Sequence, residues 1–217
     1  MPDLTLRGGV GARIDIEIEI KRSRFLCRLV RVDGEADARA VVEAARREEW
    51  NARHHCSAFV IGAASAPDQL RRSNDDGEPS GTAGRPMLEA LSGREFIDCV
   101  AVVSRYFGGV LLGAGGLVRA YSDSVLAAID EAHARGEVVA RERRDLYTLA
   151  LPHADAGRIE AELRHRGVNI LGTEYGGRAV ITLSGPGHAE LHALVAAVTA
   201  GGGVLEAAGH ELIDVEL

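Results

Sequence analysis

Three carboxylates stand within four residues at Asp75, Asp76 and Glu78. Such a set can ligate a hard divalent cation or share general acid and base work, but an octahedral shell needs further donors that the sequence does not locate. Asp and Asn also bond their own backbone in turns, so a solvated loop is the competing reading. Ser80 and Thr82 add hydroxyls in the run PSGTAG. They do not make a nucleophile elbow, because Glu78 occupies the first glycine position of GxSxG and no base is identifiable. His54, His55 and Cys56 are metal-type side chains in a row, yet structural zinc takes spaced pairs and no second pair is present.

A second chemistry-bearing stretch is GGVLLGAGGLVRAY, residues 108–121. Gly108, Gly109, Gly115 and Gly116 let backbone N–H groups approach a ligand, and the helix that follows begins with unsatisfied N–H groups at the positive end of its dipole. That combination favours an anion, with Arg105 before it and Arg119 after it. The stretch lacks the GK[ST] ending of a P-loop, and GxGxxG fails at Val118. The alternative is a tight strand-to-helix turn with close packing of helix on sheet. Tyr106 and Phe107 offer rings on which bases stack, but they adjoin an apolar strand, which favours core positions.

These groups must be positioned by regular elements. Residues 14–20, IDIEIEI, alternate isoleucine and acid with period two, the pattern of a strand with one buried face, and RFLCRLVRV at 24–32 can pair with it. Asp33 is expected to cap a helix carrying Val41, Val42 and Ala45 on one face. A strand is expected at 56–62, a helix from Pro86, a strand at 98–107 and a helix from Leu117, with the 13-residue stretch NDDGEPSGTAGRP at 74–86 as a long polar connection. Ordinary connections run to about 4–6 residues, so this one is expected to be functional or disordered. Residues 136–144, polar and charged, read as a linker. Beyond them the pattern spells β-α-β-β-α-β, with strands near 145–151, 168–175, 178–184 and 203–216 and helices near 153–166 and 186–199, the ferredoxin-like order.

The fold class is therefore α+β with two α/β-type domains, at 1–135 and 145–217. The 217 residues, 46% hydrophobic and 26% charged, can bury two cores. A net charge of −7 argues against wholesale adhesion to nucleic acid or anionic membrane, while leaving local patches. Of 25 Lys and Arg residues only Lys21 is lysine, which reflects compositional bias rather than a nucleic-acid signal. Cys27, Cys56 and Cys99 are odd in number and widely spaced, which fits a reducing compartment. No basic segment followed by an apolar one opens the chain, and no run approaches the roughly 18 apolar residues of a membrane span. A cytoplasmic protein is expected.

IKRSRF at 20–25, ARHHCSAF at 52–59, SNDDGEPSGTAGRPMLEAL at 73–91 and VAVVSRYFGGVLLGAGGLVRAYSDSV at 100–125 resemble the YigZ/IMPACT family of translation-associated proteins. The likeness is strong over residues 14–130. It implies an N-terminal domain similar to the second domain of a small-subunit ribosomal protein and a C-terminal domain like a terminal domain of elongation factor G. It further implies a regulator, not an enzyme, that binds RNA, the ribosome or a translation factor, with no cofactor. One departure is Arg85, where lysine is common; a planar fork replaces a compact ammonium. Asp75, Asp76, Glu78, Ser80, Thr82, Arg85, Arg105, Gly108, Gly109, Gly115, Gly116 and Arg119 are the expected ligand-binding set, facing one another across a polar cleft. A metal-dependent enzyme acting on a small phosphorylated or peptide substrate, and a protein-interaction module without nucleic acid, are the alternatives. The sequence specifies no oligomeric state.

Overall fold

The alternation at 14–20 folds as strand β2 (Arg13–Ile20), which the computed structural model, describing residues 2–185 and 187–217, pairs antiparallel with β3 (Ser23–Arg31). Their two-residue turn puts Lys21 at φ 48° and Arg22 at φ 66°, a left-handed conformation that hairpin turns of this type require. β1 (Asp3–Leu6) precedes the hairpin. After it come α1 (Glu35–Glu48), β4 (His54–Ile61), β5 (Leu70–Asn74), α2 (Gly84–Gly93), β6 (Cys99–Tyr106) and α3 (Ala114–Ala134). The sheet runs β2-β3-β6-β4-β5 with every neighbouring pair antiparallel.

Both faces of this sheet are covered, and the sequence pattern reflects it. Val30, Val32, Phe59, Val100 and Val102 pack with Ala38 and Ala45 of α1. The alternate residues face α2 and α3; Phe25, for example, meets Tyr121 edge-on at 5.3 Å between ring centroids. The central strand β6 is consequently a continuous apolar run, with Cys99 through Val103 fully buried. Each such valine contributes roughly 1.5–3 kcal/mol relative to exposure. The N-cap of α1 is Gly34 rather than Asp33; the Asp33 N–H instead bonds the Asp37 carboxylate at 3.2 Å.

Two compact units divide the chain, one reaching to Glu142 and including Asp214–Leu217, the other Arg143–Ile213. Residues 136–144, expected as a linker, are strand from Val138 onward. β7 (Val138–Leu151) pairs with β1 through Val138–Arg141 in the first unit. Its charges misled the reading because Arg141 is not solvated. It bonds Asp98 at 3.0 Å and Asp214 at 2.8 Å. Arg31, with its side chain 8% exposed, likewise bonds Asp214 at 2.6 Å and the Leu6 carbonyl at 2.9 Å. Hydrogen bonds from Arg31 and then Arg141 hold the Asp214 carboxyl below the usual carboxylate range, against the opposing effect of burial.

In the second unit β7 is followed by α4 (His153–His165), β8 (Asn169–Tyr175), β9 (Ala179–Ser184), α5 (His188–Val198) and β10 (Leu205–Val215). The β-α-β-β-α-β succession is present element by element, and the strands lie in the order β10-β7-β9-β8. Leu149, Ile159, Leu163, Ile181, Leu183 and Leu191 form its core. β1 and β5 are the strands that sequence periodicity did not reveal. Among the described residues no helix is long and apolar enough to cross a membrane.

Candidate functional site

The polar connection is an ordered loop held by its own acids. Asn74 Oδ1 accepts the Asp76 N–H at 2.7 Å, an Asx turn that starts the loop just past β5. The Asp75 carboxylate then accepts the N–H groups of Gly81, Ala83 and Gly84 at 2.8, 3.0 and 2.8 Å. Two of these lie at the start of α2, so Asp75 supplies from a distance the cap that no local side chain provides. Burial acts to raise its carboxyl, but the three N–H bonds outweigh that and hold it below the ordinary range.

Asp76 and Glu78 turn elsewhere. Asp76 accepts Arg46 Nη2 at 2.7 Å and the His55 N–H at 2.6 Å, tying the loop to α1 and β4. Glu78 points inward: one oxygen accepts Arg105 Nη1 at 2.6 Å and the Tyr121 hydroxyl at 2.7 Å. The three carboxylates thus face three different partners and share no ligand sphere. Among the described residues no group of three or more His, Cys, Asp or Glu is arranged to hold a metal ion.

Around Glu78 lies a buried polar network. The side chains of Glu78 and Arg105 are 3% and 7% exposed. The Arg105 guanidinium lies between the rings of Phe25 and Phe107, 5.4 and 5.7 Å from their centroids, and its buried Nε has no hydrogen-bond partner. Burial, then the neighbouring Cys56 and Glu78, pushes the Tyr121 hydroxyl well above its ordinary range. Burial likewise pushes the Cys56 thiol up to about 12, so it is not a nucleophile at neutral pH. Cys27, Cys56 and Cys99 are all free and buried.

The loop and the glycine-rich turn meet. Arg53, His54, Glu78 and Pro79 on one side, and Phe107, Leu111 and the start of α3 on the other, line a cleft of about 330 Å³. Its walls are largely apolar rather than polar, with Phe107 43% and Leu111 83% exposed, so Phe107 is not the core residue its neighbours suggested. Gly113, at φ 76°, begins α3 with no side-chain cap, and no acid occupies the first turn, where Gly115 and Gly116 lie. Gly113, Ala114 and Leu117 line the cleft, and among the described residues no side chain caps the first amides of α3, which an acceptor can satisfy. Gly108 sits where a Cβ would lie 2.0 Å from the backbone carbonyl carbon and oxygen of Arg22, so only glycine lets the β2–β3 turn press against this segment. Gly109 follows in the same turn.

The remaining expected residues stand apart from the cleft lining. Arg85 and Arg119, with side chains 77% and 85% exposed, pair along their own helices with Glu89 and Asp123. Ser80 is exposed, and the Thr82 hydroxyl donates to the Pro79 carbonyl at 2.6 Å. Arg53 and Leu111 were missed by sequence reasoning. Arg53 is exposed at the rim and makes no ion pair among the described residues. Its signal was adjacency to His54; Leu111 carried none beyond lying between glycines.

Comparison with known proteins covers both units. The Impact N-terminal domain family matches residues 21–129, and a domain of unknown function, DUF1949, matches residues 149–201. The IMPACT family member YigZ of Escherichia coli is 43% identical over 164 residues, 76% of this chain and 78% of that protein. The IMPACT family member YvyE of Bacillus subtilis is 48% identical over 148 residues; the match covers 68% of this chain and 65% of the relative's length. A crystal structure of a hypothetical protein superposes with a TM-score of 0.67 at 36% identity, covering 97% of this chain and 100% of that one. The two-domain translational regulator Yih1 aligns at a TM-score of 0.36 and 23% identity over 57% of this chain, a likeness that carries no argument.

Proposed function

Because the chain belongs to the IMPACT family, we propose that it is a translation-associated binding protein rather than an enzyme, and that it holds single-stranded RNA of the translation machinery at the cleft between the 74–86 loop and the 108–117 turn. The observation that carries this reading is the convergence of two positive features on one opening, the α3 N-terminus without a side-chain cap and Arg53, which has no ion pair among the described residues. A phosphate suits the helix amides and Arg53, while the exposed Phe107 and Leu111 offer an apolar wall to an unstacked base. Glu78 offsets the charge of Arg105, and the acidic whole limits non-specific adhesion. The metal-enzyme alternative loses support because its three carboxylates are separately engaged.

Titration of the protein into a fluorescein-labelled oligouridylate, followed by anisotropy across a salt series, tests the reading. Arg53→Ala should weaken binding several-fold and lower the salt slope by about one. Arg119→Ala, outside the cleft lining, should change neither. A folded Arg53→Ala protein with unaltered affinity and unaltered slope rejects RNA binding at this cleft.

A further inference from the structure

The sheet of the first unit ends at β5, which among the described residues pairs only with β4. Its hydrogen-bonding parity follows from the chain. The His55 N–H donates to Asp76 rather than to β6, so alternate residues Ser57, Phe59 and Ile61 direct their backbone groups toward β5. Through the register Ser57↔Asn74, Phe59↔Arg72 and Ile61↔Leu70, the inward-bonding residues of β5 are Leu70, Arg72 and Asn74. The N–H and C=O groups of Arg71 and Ser73 therefore point outward, and neither N–H has a partner among the described residues. Among the described residues the one hydrogen bond to these outward backbone groups comes from Arg72 Nη1, which donates to the Arg71 carbonyl at 3.1 Å.

Beside this edge, between β5 and α1, runs a groove of about 530 Å³. Val42 and Phe59 form an apolar floor, and Arg39, Arg46 and Arg72 stand around it against the single acid Glu43. Arg39 is paired with Glu35 and Arg46 with Asp76 and Glu43, whereas Arg72, like Arg71 beside it, has no carboxylate within 4 Å among the described residues. The uncompensated positive charge here is that of the adjacent edge residues Arg71 and Arg72, in a chain whose net charge is −7. Edge strands are commonly protected by charge, which repels strands of like charge. Here the protecting charges are of one sign, so they repel basic strands and attract acidic ones.

We propose that this edge and groove dock an extended acidic segment of a partner protein, added to the sheet as a sixth strand beside β5. The partner backbone satisfies the outward groups of Arg71 and Ser73, its acids meet Arg71 and Arg72 at the edge, and an apolar side chain enters the floor at Val42 and Phe59. An RNA phosphate backbone lacks the alternating donors and acceptors that the strand edge presents, which is why a peptide is the better match. This surface is separate from the cleft, so the fate of the RNA reading does not decide it.

The probe is the blocked hexapeptide acetyl-Glu-Thr-Val-Glu-Val-Glu-amide, titrated into the 15N-labelled full chain while amide shifts are followed. Saturable shifts are expected at Leu70–Asn74 and along Arg39–Arg46. Arg72→Glu should weaken binding about tenfold. Ser73→Pro, which removes an outward donor and spares the β4 ladder, should abolish it. A peptide with Lys in place of Glu should not bind. Absence of saturable shifts, retention of full affinity by folded Arg72→Glu, or an oligouridylate shifting the same amides and displacing the peptide would each overturn the proposal. If Ser73→Pro fails to fold, the exposed Arg72→Glu substitution still decides.

Discussion

Replacing Glu78 by alanine should destabilise the first unit by about 3–5 kcal/mol, the range found when one member of a buried ion pair is deleted. The magnitude follows from what the substitution leaves behind. Arg105 Nη1 loses its acceptor at 2.6 Å and joins an Nε that already has none, in a side chain only 7% exposed. The Tyr121 hydroxyl loses its acceptor in the same step. A loss of that size is a large part of the roughly 5–15 kcal/mol that holds a domain together. For a protein of this size it corresponds to a fall in Tm of about 6–20 °C. Thermal and urea unfolding followed by circular dichroism measure it. Glu78→Gln keeps an acceptor and the shape, so it should lose about half as much. Glu78→Leu combined with Arg105→Met removes both charges together and should return to within about 2 kcal/mol of the parent. Loss of less than about 1 kcal/mol in Glu78→Ala, or a double variant worse than either single one, would refute the claim that this pair is buried and mutually dependent.

Two further outcomes follow from the same loop and turn. Asp75→Ala should cost about 2 kcal/mol at pH 7, as loss of a helix cap does. Because the folded-state pKa of Asp75 is depressed, its stabilisation is complete above the unfolded value of about 3.9 and is lost as pH falls through the folded value. The gap between parent and variant in urea midpoint should therefore close in acid; a gap of equal size at pH 3 would contradict it. Gly108→Ala should lower Tm more than Gly109→Ala, since the first Cβ meets backbone at 2.0 Å and the second meets nothing within 4 Å and bears only the strain of φ 84°. Differential scanning calorimetry gives the order, and the reverse order would disprove the close approach.

Much of the fold was legible because burial leaves periodic marks. The period of two in β2, the apolar run of β6 and the β-α-β-β-α-β succession each follow from which faces meet water. β5 was not legible, because LRRSN at a sheet edge has little apolar surface to bury and so no pattern to show. The start of β7 was hidden for a different reason: Arg141 sits on a strand that looks solvated, and only the distant Asp98 and Asp214 make it an internal residue. In the site, the meeting of loop and turn was anticipated, while the division of labour among the acids was not. Asp75, Asp76 and Glu78 look alike in sequence; their different roles are set by Gly81, Arg46 and Arg105, whose proximity is a tertiary fact.

The ion pair between Arg31 and Asp214 joins positions 183 residues apart. At the usual elongation speed of about 5–20 residues per second, a ribosome that has just added the arginine needs roughly 9–37 s more to add the aspartate. Until then, the acceptor left to Arg31 among the described residues is the Leu6 carbonyl. The Arg31 pair of the first unit thus waits on Asp214, and a message truncated upstream of that codon yields a unit whose Arg31 lacks this carboxylate.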